Sequence, residues 1–182
     1  MRTLEGKTAL VTGGGKGIGR AIALALSARG VKILVTGRQE RALGEAVGEI
    51  AHGGGKARHL AGDVRDPAHL AAAVARAVVV FGGLDVVIAN AWESGSASTN
   101  IEGADCTFQA AIAQMAGPGR LLIVSRGEPE AAVAALVARR AAELQDRKIT
   151  CDCLVVRAGE AEEAIGQRVV ALCARAGGLV GI

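Results

Sequence analysis

The chain has 182 residues, a formal net charge of +3, and is 51% apolar with only 2% aromatic residues. This length suits one domain with an aliphatic core, and 26 glycines are too many for a helix bundle but fit an α/β domain with many turns. Charges of both signs are scattered without a Lys/Arg run to track nucleic acid, and no apolar run approaches the about 18 residues of a membrane span.

Strand and helix patterns alternate from end to end. Residues 7–12 read as a short apolar strand. Glu5, Gly6 and Lys7 at its start break any signal-peptide core, so a cytoplasmic protein is expected. Residues 17–29 form a helix with Ile18, Ile22 and Leu26 on one face. Residues 31–36 are a second strand, and 39–52 a helix stopped by Gly53, Gly54 and Gly55. Residues 56–61 are a third strand. Asp66 and Pro67 open a helix whose buried stripe is Leu70, Val74, Val78 and Phe81, and Gly82 and Gly83 end it.

Residues 84–89 are a continuous apolar strand, as a parallel sheet covered on both faces requires. Residues 91–99 read as a small-residue loop and 101–115 as a helix. A strand at 120–125 follows a Gly-Pro-Gly turn. Residues 130–146 are an Ala-rich helix, 149–156 a sixth strand and 160–176 a last helix; 179–182 read as a clipped seventh strand. The expected fold is a Rossmann-type doubly wound parallel sheet of six or seven strands in three αβα layers, one domain over residues 1–182.

Four cysteines, Cys106, Cys151, Cys153 and Cys173, are expected to stay reduced. Cys151 and Cys153 share one strand face and read as small buried hydrophobes. No metal site is expected, because His52, His59 and His69 lie far from them in sequence.

Gly13, Gly17 and Gly19 sit between an apolar strand and an amphipathic helix, the setting of a dinucleotide loop. Glycine permits the sharp turn and the close approach of a pyrophosphate, and the free N–H groups at the helix start face the phosphate. The spacing is G-x-x-x-G-x-G rather than G-x-G-x-x-G. With further motifs in order, the chain resembles the short-chain dehydrogenase/reductase family. Thr12 to Gly19 matches that family's nucleotide loop, and Gly62-Asp63-Val64 its adenine contact. Ala89-Asn90-Ala91 matches most of its Asn-Asn-Ala-Gly motif, and Asn100 to Gly103 the Asn-x-x-Gly that opens a central helix. Asp152 stands in the sixth strand where the family usually has Asn.

The resemblance implies a cofactor-binding set of Gly13, Gly15, Lys16, Gly17, Ile18, Gly19, Arg38, Asp63, Val64, Asn90 and Ala91. The second strand ends in Gly37 and Arg38, where an NAD site would carry an acid for the ribose 2′-hydroxyl. Arg38 suits a 2′-phosphate, with Lys16 a second cation, so NADP(H) is the expected cofactor. Trp92 replaces the motif's last glycine, where an indole can block the nicotinamide half or stack on it.

The family's chemistry is carried by a Ser–Tyr–Lys set supported by an Asn, with the tyrosine as general acid. This chain has no tyrosine, and residues 130–146 contain no lysine. Arg126 falls in the family's serine column. Ser125, one position earlier, is expected to point away from the site. Asn100 matches the supporting asparagine, and equally suits a cap at the start of its helix. Asn100 and Ser125 are thus the candidate catalytic residues, with Glu93, Ser94, Ser96, Asp105, Cys106 and Arg126 nearby. By the resemblance, segments are shortened at the strands' carboxyl ends: between Asn90 and Asn100, after Arg126, and after Val156-Arg157, which replaces a Pro-Gly.

Three readings stay open. The first is an NADP(H)-binding protein without the usual carbonyl reductase chemistry, serving as partner subunit, sensor or scaffold. The second is an active NADPH-dependent oxidoreductase of unusual mechanism on an activated acceptor. The third is a fold reused without nucleotide. The resemblance also implies a homo-oligomer, or a pairing with a related subunit, through the helices at 101–115 and 130–146.

Overall fold

Apolar strands long enough to be covered on both sides, joined by amphipathic helices, dictate a layered molecule. The computed structural model describes residues 3–91, 97–126 and 130–175. The chain runs β1 (Thr8–Thr12), α1 (Gly17–Ser27), β2 (Lys32–Gly37), α2 (Glu40–His52), β3 (Ala57–Ala61) and α3 (Pro67–Phe81). It continues through β4 (Val86–Ala89), α4 (Ala97–Ile112), β5 (Gly119–Ser125), α5 (Glu130–Glu143), β6 (Ile149–Val155) and α6 (Glu162–Ala174). All neighbouring strands pair in parallel, in the order β3-β2-β1-β4-β5-β6. This is the Rossmann-type αβα sheet expected from the sequence, and the strand expected at 179–182 lies outside the described residues.

Period-2 alternation splits the core in two. Val11, Val35, Ile88 and Val124 face one way and pack with Ile22 and Leu26 of α1, Leu43 of α2 and Val169 of α6. Leu10, Leu34, Val87 and Leu121 face the other way, against Val74 of α3, Phe108 of α4 and Leu136 of α5. Within the α3 stripe, Leu70 and Val74 are buried, while Val78 and Phe81 are only partly so. Asp66 caps α3 by accepting from the Ala68 N–H at 2.9 Å, Pro67 follows at its first position, and Gly82 ends it with φ of +89°.

Of the boundaries that differ from the expectation, three matter most. α4 starts at Ala97 rather than at residue 101, so Asn100 lies inside the first turn and is not its cap. Ser98, Thr99 and Asn100 are weak helix formers, but the face of Ala104, Phe108 and Ala111 buried on the sheet outweighs that preference. α5 ends at Glu143 and gives way to a short 3-10 turn, Gln145–Arg147. α6 begins at Glu162.

Among the ion pairs that tie elements together, two involve buried arginines. Arg120 of β5 donates from Nη1 to Asp152 Oδ2 of β6 at 2.5 Å, and from Nη2 to the Arg175 carbonyl at 2.9 Å. Both side chains are buried, so the acid at 152 balances a charge inside the fold. Asp105 of α4 accepts from Arg139 Nη2 at 2.7 Å and from Arg140 Nε at 2.8 Å, which locks α4 to α5.

Candidate functional site

The sheet order reverses between β1 and β4, and a crevice opens beyond the carboxyl ends of the strands at that point. There the chain leaves β1 in a tight turn. The Gly13 N–H donates to the Thr36 carbonyl at 2.7 Å, and Gly13 and Gly17 hold φ of +65° and +52°. L side chains rarely adopt that region, so both positions call for glycine. Gly19 serves a different need: a Cβ there would lie 2.1 Å from the Gly13 carbonyl oxygen and 2.4 Å from Asn90 Nδ2. α1 starts at Gly17 behind an extended cap, Lys16, whose side chain accepts no N–H. The cap therefore offers the first-turn amides no side-chain acceptor, at the positive end of the helix.

Asn90 anchors this loop to β4. Its N–H and that of Ala91 both donate to Thr12 Oγ1 at 3.0 Å. Its Nδ2 donates to the carbonyls of Thr12 at 3.1 Å and Gly13 at 3.3 Å. Its Oδ1 accepts from Arg126 Nη2 at 2.5 Å. The buried amide thus supports the glycine turn from below, within the wall of the cleft.

A cleft of about 430 Å³ lies over the loop. Gly13, Gly15, Lys16, Gly17 and Ile18 line it from the loop, and Arg38 from the end of β2. Asp63 and Val64 line it after β3, Asn90 and Ala91 after β4, and Asn100 and Gly103 from α4. Gly19 packs behind the loop, and Ser125 is buried in regular register with Val155. Neither of these two lines the cleft; Arg126, next to Ser125, does. Of the other nearby candidates, Asp105 is held by the α5 arginines, and Asp105 and Cys106 are not among the lining residues. Trp92, Glu93, Ser94 and Ser96 lie outside the described residues.

The electrostatics of the cleft are mixed. Lys16, Arg38, Arg65 and Arg126 face Asp63 and Glu162. Arg65 grips Asp63 through Nη2 at 2.6 Å, Nε at 3.1 Å and its own backbone N–H at 2.9 Å. The Arg65 hydrogen bonds, with a smaller push from Arg38, bring the Asp63 carboxyl down to about 2. Burial pushes the thiols of Cys151 and Cys173 up to about 12, so neither is a thiolate at neutral pH. Among the described residues no group of three or more His, Cys, Asp or Glu is placed to hold a metal.

Arg65 and Glu162, which line the cleft, and the packing role of His69 behind it went unread in the sequence. Arg65 is signalled only by its two-residue spacing from Asp63. His69 of α3 bonds Thr36 Oγ1 through Nε2 at 2.7 Å, and a Cβ on Gly62 would lie 2.2 Å from its Nδ1. Glu162 resembles any acid in a first helical turn. No local pattern distinguishes His69 or Glu162, because tertiary packing alone brings His69 against Thr36 and Glu162 to the cleft.

Residues 7–125 match the short chain dehydrogenase family. The chain belongs to that family. Among curated short-chain dehydrogenase-like relatives, it is 46% identical over 89 residues to a versicolorin reductase of Emericella nidulans. It is 44% identical over 91 residues to a 2,5-dichloro-2,5-cyclohexadiene-1,4-diol dehydrogenase of Sphingobium indicum. These matches cover 48% and 50% of this chain but only 34% and 35% of the relatives, so the chain matches about a third of their length. Among solved structures, a metagenomic short-chain oxidoreductase in complex with NADP superposes with a TM-score of 0.82 at 23% identity, covering 96% of this chain and 93% of that one. A hydroxysteroid dehydrogenase from Escherichia coli gives 0.84 at 22% identity, covering 94% and 90%. No helix among the described residues is long and apolar enough to cross a membrane.

Proposed function

We propose that this short-chain dehydrogenase binds NADP(H) in the glycine cleft and lacks the Ser–Tyr–Lys reductase chemistry of its family, acting as a partner subunit, sensor or scaffold. One observation carries the proposal: a cleft lined by Gly13, Gly17, Lys16 and Arg38 belongs to a chain without a tyrosine. The glycine turn and the α1 amides suit a pyrophosphate. Asp63 and Val64 suit the adenine end, and Arg38 a 2′-phosphate. Bound NADPH would supply a hydride at its nicotinamide. On the protein's side, α5 has no lysine, and the family's serine column holds Arg126, whose guanidinium donates to Asn90. No phenol stands ready to give a proton to a carbonyl oxygen.

The test is calorimetric titration with NADPH and NADH, paired with a turnover assay on simple aldehydes and ketones. NADPH binds at least about tenfold more tightly than NADH, Arg38→Ala removes most of that margin, and NADPH is not consumed. Equal affinity for both cofactors contradicts the role of Arg38, and steady carbonyl reduction contradicts the loss of chemistry.

A second reading draws on Arg126 and Asn100, which both line the cleft. A guanidinium can hold an oxygen that gains negative charge. That would suffice for hydride transfer to an already activated acceptor such as a quinone or iminium. NADPH oxidation with such acceptors, abolished in Arg126→Ala, would favour this reading over the first.

A further inference from the structure

α6 brings a carboxylate to the part of the cleft built for anions. Glu162 is the first residue of α6 and lines the cleft. Its Oε1 lies 3.2 Å from where a Cβ on Gly17 would stand. Gly17 is also the first residue of α1, whose cap offers no side-chain acceptor and whose first turn carries no acid. The Glu162 carboxylate therefore sits at the positive end of α1, the position a pyrophosphate would take.

Packing fixes this placement. Gly166 lies one turn after Glu162 on the same face of α6, and Ala21 one turn after Gly17 on α1. A Cβ on Gly166 would stand 2.9 Å from the Ala21 carbonyl oxygen and 3.1 Å from Ala25 Cβ, so the two helices meet backbone to backbone. Upstream, Glu160 is held by Arg168 Nη1, which donates to both its oxygens at 2.7 Å, and by the Arg157 N–H at 3.1 Å. α6 is thus pinned before and after Glu162. Glu163 also suits the N-terminal dipole of α6, and is exposed like Glu162, but it does not line the cleft.

We propose that Glu162 is a built-in competitor for the pyrophosphate position. An incoming dinucleotide must push this carboxylate aside or accept its repulsion. Glu162 therefore holds dinucleotide affinity down and favours ligands that carry less negative charge over Gly17. The inference rests on the reading that the cleft takes a nucleotide. Like charges about 4 Å apart in a partly exposed site alter affinity by about tenfold or more.

Dissociation constants for NADPH and for adenosine 2′-phosphate, measured by calorimetry on the native chain, Glu162→Gln and Glu163→Gln, test it. Glu162→Gln is expected to bind NADPH about tenfold more tightly. Adenosine 2′-phosphate, which has no pyrophosphate, is expected to bind the native chain and Glu162→Gln alike, and Glu163→Gln to match the native chain with both ligands. Thermal melting checks that the variants fold, and Glu162→Ala gives the same direction should the glutamine variant not fold. If Glu162→Gln binds NADPH no better while adenosine 2′-phosphate still binds, the competitor role is overturned and the nucleotide reading survives. Equal tightening for both ligands, or the same gain in Glu163→Gln, also overturns it, since a general charge effect would then suffice. If neither ligand binds any variant, the nucleotide reading fails and the competitor role with it.

Discussion

Arg65 determines how the acid at the adenine end behaves. With its hydrogen bonds in place, the Asp63 carboxyl titrates at about 2 instead of the usual 3.8. The folded value is depressed, so the pair's contribution to stability is complete above pH about 4 and is lost as pH falls through about 2. The pair is partly exposed, which keeps that contribution small. Carboxyl-carbon NMR is expected to show the Asp63 midpoint near 2 in the native chain and its return toward 3.8 in Arg65→Met. A native midpoint near 4 would contradict the geometry. The residues that the sequence exposes best are those with a backbone reason to exist. Gly13 and Gly17 are needed for their positive φ, and Gly19 for its contact with Gly13. Glu162, whose position depends on how α6 lies along α1, leaves no comparable trace in the order of residues.

At the scale of elements, β6 is held to β5 by more than its ladder. Arg120 and Asp152 are both buried, and among the described residues the carboxylate at 152 is the acid that pairs with Arg120. Removing it strands a buried guanidinium, so Asp152→Ala is expected to cost about 3–5 kcal/mol in urea unfolding. Asp152→Asn, which keeps an oxygen acceptor, is expected to cost less. A loss below about 1 kcal/mol in Asp152→Ala would mean that water reaches Arg120. The strands and the first three helices were legible because their apolar periods are clean and their ends carry glycine, proline or Asp66. The start of α4 was not. Asn100 reads as a cap by residue type, and only the buried face of Ala104, Phe108 and Ala111 explains why the helix begins earlier.

At the scale of the molecule, the parallel sheet and its split core follow from alternation along β1, β2, β4 and β5, which the sequence displays openly. The cleft follows from where the sheet order reverses, and the glycine loop marks it from either direction. Its electrostatic balance was only half legible. Lys16 and Arg38 stand out beside the loop, whereas the opposing carboxylate comes from an element 145 residues away along the chain, by the difference between Glu162 and Gly17. The pairing of chains through α4 and α5 stays an expectation of family resemblance, and the Asp105–Arg140 lock places charged contacts between those helices within one chain.

The central claim is that the turn at Gly13–Gly17 still receives a nucleotide. Titration of the native chain with NADPH, followed by the nucleotide's own fluorescence, tests this most directly. Saturable binding of one nucleotide per chain is expected, and it should be lost in Gly17→Val, which cannot keep the φ of +52° without strain. A flat titration with a correctly folded native chain, or binding that survives Gly17→Val unchanged, would contradict the account.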